Sequence, residues 1–157
     1  MKIKKFLGLL VLISLYSCSD NKEFYAYKSF DNGQWARDSI LKVQIDSSFR
    51  NTSGEYVLSV ELVHNKSYPY KNLWLLVGSN INHPKVMRYD TVKTKLMDNF
   101  ERWYGTSVGG LHQISIPYKK EKITSNSEPI RFEIKQLMDD NPLSGIEKVG
   151  IKIKEES

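Results

Sequence analysis

Residues 55–64 read Glu-Tyr-Val-Leu-Ser-Val-Glu-Leu-Val-His. Tyr56, Leu58, Val60 and Leu62 take every second position, so in an extended chain all four point the same way. A helix would spread them around its circumference instead. The segment reads as a strand with one apolar face, and the same period recurs on both sides of it. Leu41, Val43 and Ile45 alternate with Lys42 and Gln44; His112, Ile114, Ile116 and Tyr118 alternate with Gln113 and Ser115. Phe132 and Ile134 sit between Arg131, Glu133 and Lys135, and Val149, Ile151 and Ile153 sit between lysines.

Two further stretches complete the set. Leu73-Trp74-Leu75-Leu76-Val77 is a continuous apolar run and predicts a central strand covered on both faces, with Trp74 in the core. The stretch from Val86 to Met97 is more polar but rich in β-branched and aromatic residues. Pro117 marks an edge or exit position for its strand. Seven or eight such strands, with no long helical period, predict an all-β fold, an antiparallel two-sheet β-sandwich.

The chain upstream reads differently. Lys2, Lys4 and Lys5 precede a run from Phe6 to Tyr16 that is apolar apart from Gly8 and Ser14. A membrane-spanning helix needs about 20 apolar residues, so this run is too short and matches the apolar region of a secretory signal. It closes on Leu15-Tyr16-Ser17-Cys18, and Cys18 is the single cysteine among 157 residues. One cysteine excludes an internal disulfide and a Cys-cluster zinc site. The tetrapeptide resembles the lipobox of bacterial lipoproteins, which implies cleavage between Ser17 and Cys18 and a lipid on the Cys18 thiol. The expected layout is a signal peptide at 1–17, lipid attachment and a polar spacer at 18–23, and one β-sandwich domain at 24–157.

That layout changes the meaning of the charge. The formal value of +5 includes three signal lysines; without them 20 basic residues face 18 acidic ones, a net +2. The remaining cations are scattered among acids with no recognition-helix pattern, so nucleic acid is not expected as a partner.

Catalytic constellations do not emerge. His64, His83 and His112 lie too far apart for a local metal motif. His112, on the apolar face of its strand, reads as a hydrogen-bonded core residue, and His64 and His83 as strand-end and turn residues. Asp139-Asp140-Asn141-Pro142 lacks the spacing of a calcium loop and reads as a turn. Gly105, Gly109 and Gly110 do not have phosphate-cradle spacing, and no serine sits in a G-x-S-x-G elbow. The expectation is a non-enzymatic protein with no metal and no cofactor beyond the lipid on Cys18.

Aromatic residues carry more information, with three Trp, nine Tyr and six Phe in the chain. Tyr68, Tyr70, Trp103 and Tyr104 sit in predicted turns and are the candidate partner or ligand surface, since interfaces enrich Tyr and Trp.

Several segments in order resemble one family. They are the lipobox Cys18; Tyr27-Lys28-Ser29-Phe30 with Gly33 and Trp35; Asn65-Lys66-Ser67-Tyr68-Pro69-Tyr70-Lys71-Asn72-Leu73-Trp74-Leu75; Trp103-x-Gly105 leading to Ile116-Pro117-Tyr118; and Gln136-x-Met138-x-x-Asn141-Pro142-Leu143-x-Gly145-Ile146 with Val149-Gly150-Ile151. Together they are similar to the GldH family of gliding-motility lipoproteins of Bacteroidetes, over nearly the whole chain. Two positions depart from it: Asp139 replaces an expected basic residue, and the glycine segment after Trp103 is shortened. The resemblance implies a cell-envelope lipoprotein, the outer membrane being favoured. Its implied partners are proteins of the gliding apparatus and the linked type IX secretion machinery. It implies no catalytic residues. The alternative is a membrane-tethered module that binds a glycan or small ligand through loop aromatics.

Overall fold

The computed structural model describes residues 23–45, 53–123 and 128–156. Ser17 and Cys18 therefore lie outside the described residues, as does the expected signal peptide at 1–17. In chain order the strands are β1 (Glu23–Ser29), β2 (Gln34–Trp35), β3 (Leu41–Ile45), β4 (Gly54–Asn65), β5 (Asn72–Ser79) and β6 (Arg88–Lys95). There follow β7 (Thr106–Val108), β8 (Leu111–Ile123), β9 (Ile130–Gln136), β10 (Leu143–Ser144) and β11 (Ile146–Glu155). A single 3-10 turn, Asp31–Gly33, is the one helical element among the described residues.

Eight strand pairings, mostly between residues distant in sequence, build three antiparallel sheets. One sheet has the order β1-β11-β4-β8-β7, the second β3-β9-β5-β6, and β10 pairs with β2 in a two-stranded ribbon. The inner faces of the two large sheets meet in one core. From the first come Tyr56, Leu58, Val60, Leu62, Val149, Ile151 and Ile153, all at 0% exposure, and from the second Leu73, Leu75, Val77 and Ile134, also at 0%. The all-β, two-sheet expectation holds.

The strand count is higher than the periodicity predicts: eleven among the described residues. β2, β7 and β10 are two or three residues long, too short to show any period. β1 is hidden for another reason. Its inward Phe24 and Ala26 pack on the core, while its outward Tyr25 and Tyr27 are large rings 44% and 42% exposed, so both faces look apolar.

β5 corrects the reading of a strand covered on both sides. Leu73, Leu75 and Val77 are sealed, but Trp74 is 40% exposed and is not a core residue. The sheet is antiparallel with one face toward water, and Trp74 and Leu76 occupy that face. Pro117 does lie where β8 has no second neighbour, because β7 pairs only with Leu111–Gln113. It does not end the strand: the register shifts beside it, opposite Leu58 and Ser59, and β8 runs on to Ile123.

The topology fixes two ends. Glu23 pairs with Lys154, which pairs with Val57, at the end where the described chain begins. Ser29 pairs with Lys148, and Asn65 pairs with Leu111, at the other. Six residue steps along β1, at about 3.3 Å each, separate them by roughly 20 Å.

Candidate functional site

Several of the described segments that carry the family resemblance meet at the end away from Glu23. Asn65 organises the connection from β4 to β5. Its side-chain oxygen accepts the backbone N–H of Ser67 at 2.7 Å, an Asx turn, and its amide nitrogen donates to Glu147 Oε1 at 2.6 Å. Its backbone N–H donates to the Gly145 carbonyl at 2.8 Å, tying this loop to the β10–β11 corner. Gly145 has φ of +83°, and a Cβ there would stand 2.2 Å from the Tyr68 backbone nitrogen. Only glycine fits so close an approach.

The segment 30–37 and the turn 136–142 lock together in the same region. Trp35, fully buried, stacks on Phe30 with ring centres 4.9 Å apart and donates its indole N–H to the Ser39 carbonyl at 2.7 Å. Arg37 donates through Nη2 to the carbonyls of Met138 (3.1 Å) and Asp139 (2.7 Å), and through its backbone N–H to Asn141 Oδ1 (2.9 Å). Gln136 closes the turn from inside, accepting from the Met138 N–H and donating to the Asp140 carbonyl. Asp139-Asp140-Asn141-Pro142 is thus a turn held by its carbonyls.

The loop before β7 completes the end. Asp98 accepts the backbone N–H groups of Phe100 and Arg102 on Oδ1. These bonds, the Arg102 backbone first, hold its carboxyl below the usual aspartate range. Lys71 reaches across from the β4–β5 connection to Glu101 at 2.6 Å.

Beneath these loops lies a ring cluster. His64 and His112 are direct cross-strand partners with ring centres 5.1 Å apart. Trp103 sits 4.5 Å from His64 and 5.7 Å from His112, and Tyr68 lies 5.7 Å from His64. His64 Nδ1 faces the Asn65 carbonyl at 3.2 Å, so that nitrogen carries the proton, and His112 Nδ1 meets Ser107 Oγ at 2.6 Å. Neither Nε2 has a hydrogen-bond partner among the described residues. Burial is the main cause that lowers the His64 pKa. The cluster is a buried packing unit of stacked and edge-on rings. Among the described residues no carboxylate is hydrogen-bonded to either imidazole, and no group of three or more His, Cys, Asp or Glu could hold a metal ion.

The sequence-predicted residues separate accordingly. Tyr68 is 3% exposed and its hydroxyl donates to the Asn72 carbonyl at 2.6 Å, so it belongs to the core and not to a partner surface. Burial, its largest cause, drives its phenol far above the ordinary tyrosine range. Tyr70 and Trp103 are half-buried, and Tyr104 is 44% exposed. Phe100, 79% exposed beside Tyr104, escaped the sequence reading, as did the hairpin-tip pair Val108 and Leu111. Gly109 and Gly110, which lie between them, are the one local signal that this pair sits at a tip. His64 is fully buried and not merely a strand-end residue; His112 is buried as its periodicity predicts.

Comparison with known proteins matches this whole frame. A family model described as GldH lipoprotein covers residues 22–153. A gliding motility lipoprotein GldH homolog of Christiangramia forsetii is 24% identical over 156 residues, covering 95% of this chain and 93% of that protein. The gliding motility lipoprotein GldH of Flavobacterium johnsoniae is 28% identical over 165 residues, covering 99% of each. Among solved structures, dimeric latent PorU from Porphyromonas gingivalis superposes with a TM-score of 0.40 at 10% identity, over 92% of this chain and 14% of that one.

Proposed function

Because the chain belongs to the GldH lipoprotein family, we propose that it is a lipid-anchored, non-enzymatic component of a gliding-motility machine linked to type IX secretion. The family match over residues 22–153 carries this reading. Its mechanism is tethering. Acyl chains on Cys18 confine the domain to a membrane, the outer membrane by preference, and raise its effective concentration for partner subunits. One chain anchors marginally at about 0.8 kcal/mol per buried CH₂, while two or more hold firmly.

The two ends of the sandwich then have different jobs. The end at Glu23 adjoins the anchor, and the opposite end, with Tyr104, Phe100 and Val108 exposed over interlocked loops, faces the partners. The loops are rigid because each is tied to another by backbone groups, which suits a docking surface.

The test is complementation in a gliding host that lacks its own family member. The wild-type chain should restore spreading and take up labelled fatty acid. Cys18→Ser should do neither while still accumulating. A Cys18→Ser protein that is labelled and membrane-bound contradicts anchoring, and a wild-type protein that is anchored but restores nothing contradicts the motility role.

A further inference from the structure

We propose that the outer face of the four-stranded sheet binds an acidic polysaccharide, with sugar rings laid on Trp74 and Tyr89. Strand alternation alone decides what this face carries. β3, β9 and β6 turn Lys42, Arg131, Lys135, Lys93 and Lys95 outward, against one carboxylate, Glu133, among the described residues. One face thus has a surplus of four positive charges, more than the net +2 of the chain from Cys18 onward. The rest of that chain is correspondingly acidic, so the segregation is not a by-product of a basic protein.

The aromatic residues of this face are built as platforms. Gly78 pairs with Tyr89, and a Cβ at Gly78 would stand 2.5 Å from the Tyr89 ring, so the ring lies flat across β5. Its hydroxyl donates to Glu133 Oε2 at 2.8 Å, and its exposure remains 50%. Trp74 lies four residues along β5 from Gly78, about 13 Å at strand rise. Lys93 Nζ sits over its ring face, 4.1 Å from the centre. A sugar ring stacks on Trp74 once this long, exposed side chain swings aside, and the displaced ammonium then stands next to the carboxylate of the acidic sugar.

Two adjoining depressions share Glu133. One, about 350 Å³, is lined by Ile40, Leu76, Tyr89 and Lys135, and the other, about 340 Å³, by Lys42, Gln44, Met87 and Arg131. Each is near the lower end of small-ligand sites, which suits a repeating ligand occupying neighbouring subsites. A folded protein partner is less suited, because interface cores deplete lysine and here lysine surrounds the rings.

The experiment uses the full lipoprotein in neutral detergent. Binding to polygalacturonate, a uronate polymer, is measured by affinity electrophoresis beside neutral dextran, polyglutamate and anionic lipid vesicles. Polygalacturonate should retard the protein, dextran should not, and retardation should fade as salt screens the charges. Trp74→Ala and Tyr89→Ala should each weaken binding roughly tenfold, Trp74→Phe should restore most of it, and Lys135→Glu should weaken it with the rings intact. Circular dichroism checks that the variants fold, as exposed positions allow. Equal binding to polyglutamate that ignores Trp74 and Tyr89 overturns the proposal in favour of a merely cationic face. Binding to vesicles without polygalacturonate, or to no probe, overturns it as well.

Discussion

Gly145 and Tyr68 show how single residues fix the loop end. With φ at +83° and Tyr68 backbone 2.2 Å from any added Cβ, Gly145→Ala combines left-handed strain with a backbone clash. It should cost about 2–4 kcal/mol in urea unfolding; a loss under about 0.5 kcal/mol would show that the loop yields freely. His64 makes a pH prediction. Its ordinary value is 6.5 and burial lowers it in the fold, so the unfolded chain takes up the proton first as pH falls. The contribution of His64 is fully present above about pH 6.5 and is lost as pH drops through the lower folded value. Thermal midpoints from pH 8 to 5 should fall more steeply for wild type than for His64→Gln; parallel curves would contradict this. At this scale the sequence is weakest. Tyr68 and Tyr104 sit in similar turns, and only the tertiary surroundings, the Trp103 ring and Gly145 against one and an open surface at the other, divide them.

Strands were legible wherever water lies on one side and the outward residues are polar. β3, β4, β9 and β11 declare themselves through lysine, glutamate or serine at alternate positions. β1 does not, and β5 shows itself as a strand but hides its wet face, because their outward residues are aromatic or aliphatic: Tyr25 and Tyr27 in one, Trp74 and Leu76 in the other. Continuous apolarity on β5 therefore signals a second, exposed surface and not a buried strand. The difference is measurable. Leu75→Ala, from the sealed face, should cost about 2–5 kcal/mol, and Trp74→Ser no more than about 1 kcal/mol. Comparable losses at both positions would restore the reading of a strand buried on both sides.

For the molecule as a whole, periodicity was enough for two antiparallel sheets around one core, and the ordered motifs were enough for the family. The pairing of distant motifs was out of reach, since nothing local tells Arg37 that it will hold the 136–142 turn or Asn65 that it will meet Gly145. That pairing places the motif loops about 20 Å from the Glu23 end, which the proposed anchor would adjoin. The most direct test of the tethered-component account is site-specific photocrosslinking in living gliding cells, with the reactive group at Tyr104 or, in a second strain, at Lys154 beside Glu23. Crosslinks from Tyr104 to other motility proteins, and none from Lys154, are the predicted result. Motility proteins captured from Lys154 alone, or from neither position in cells that glide, would contradict it.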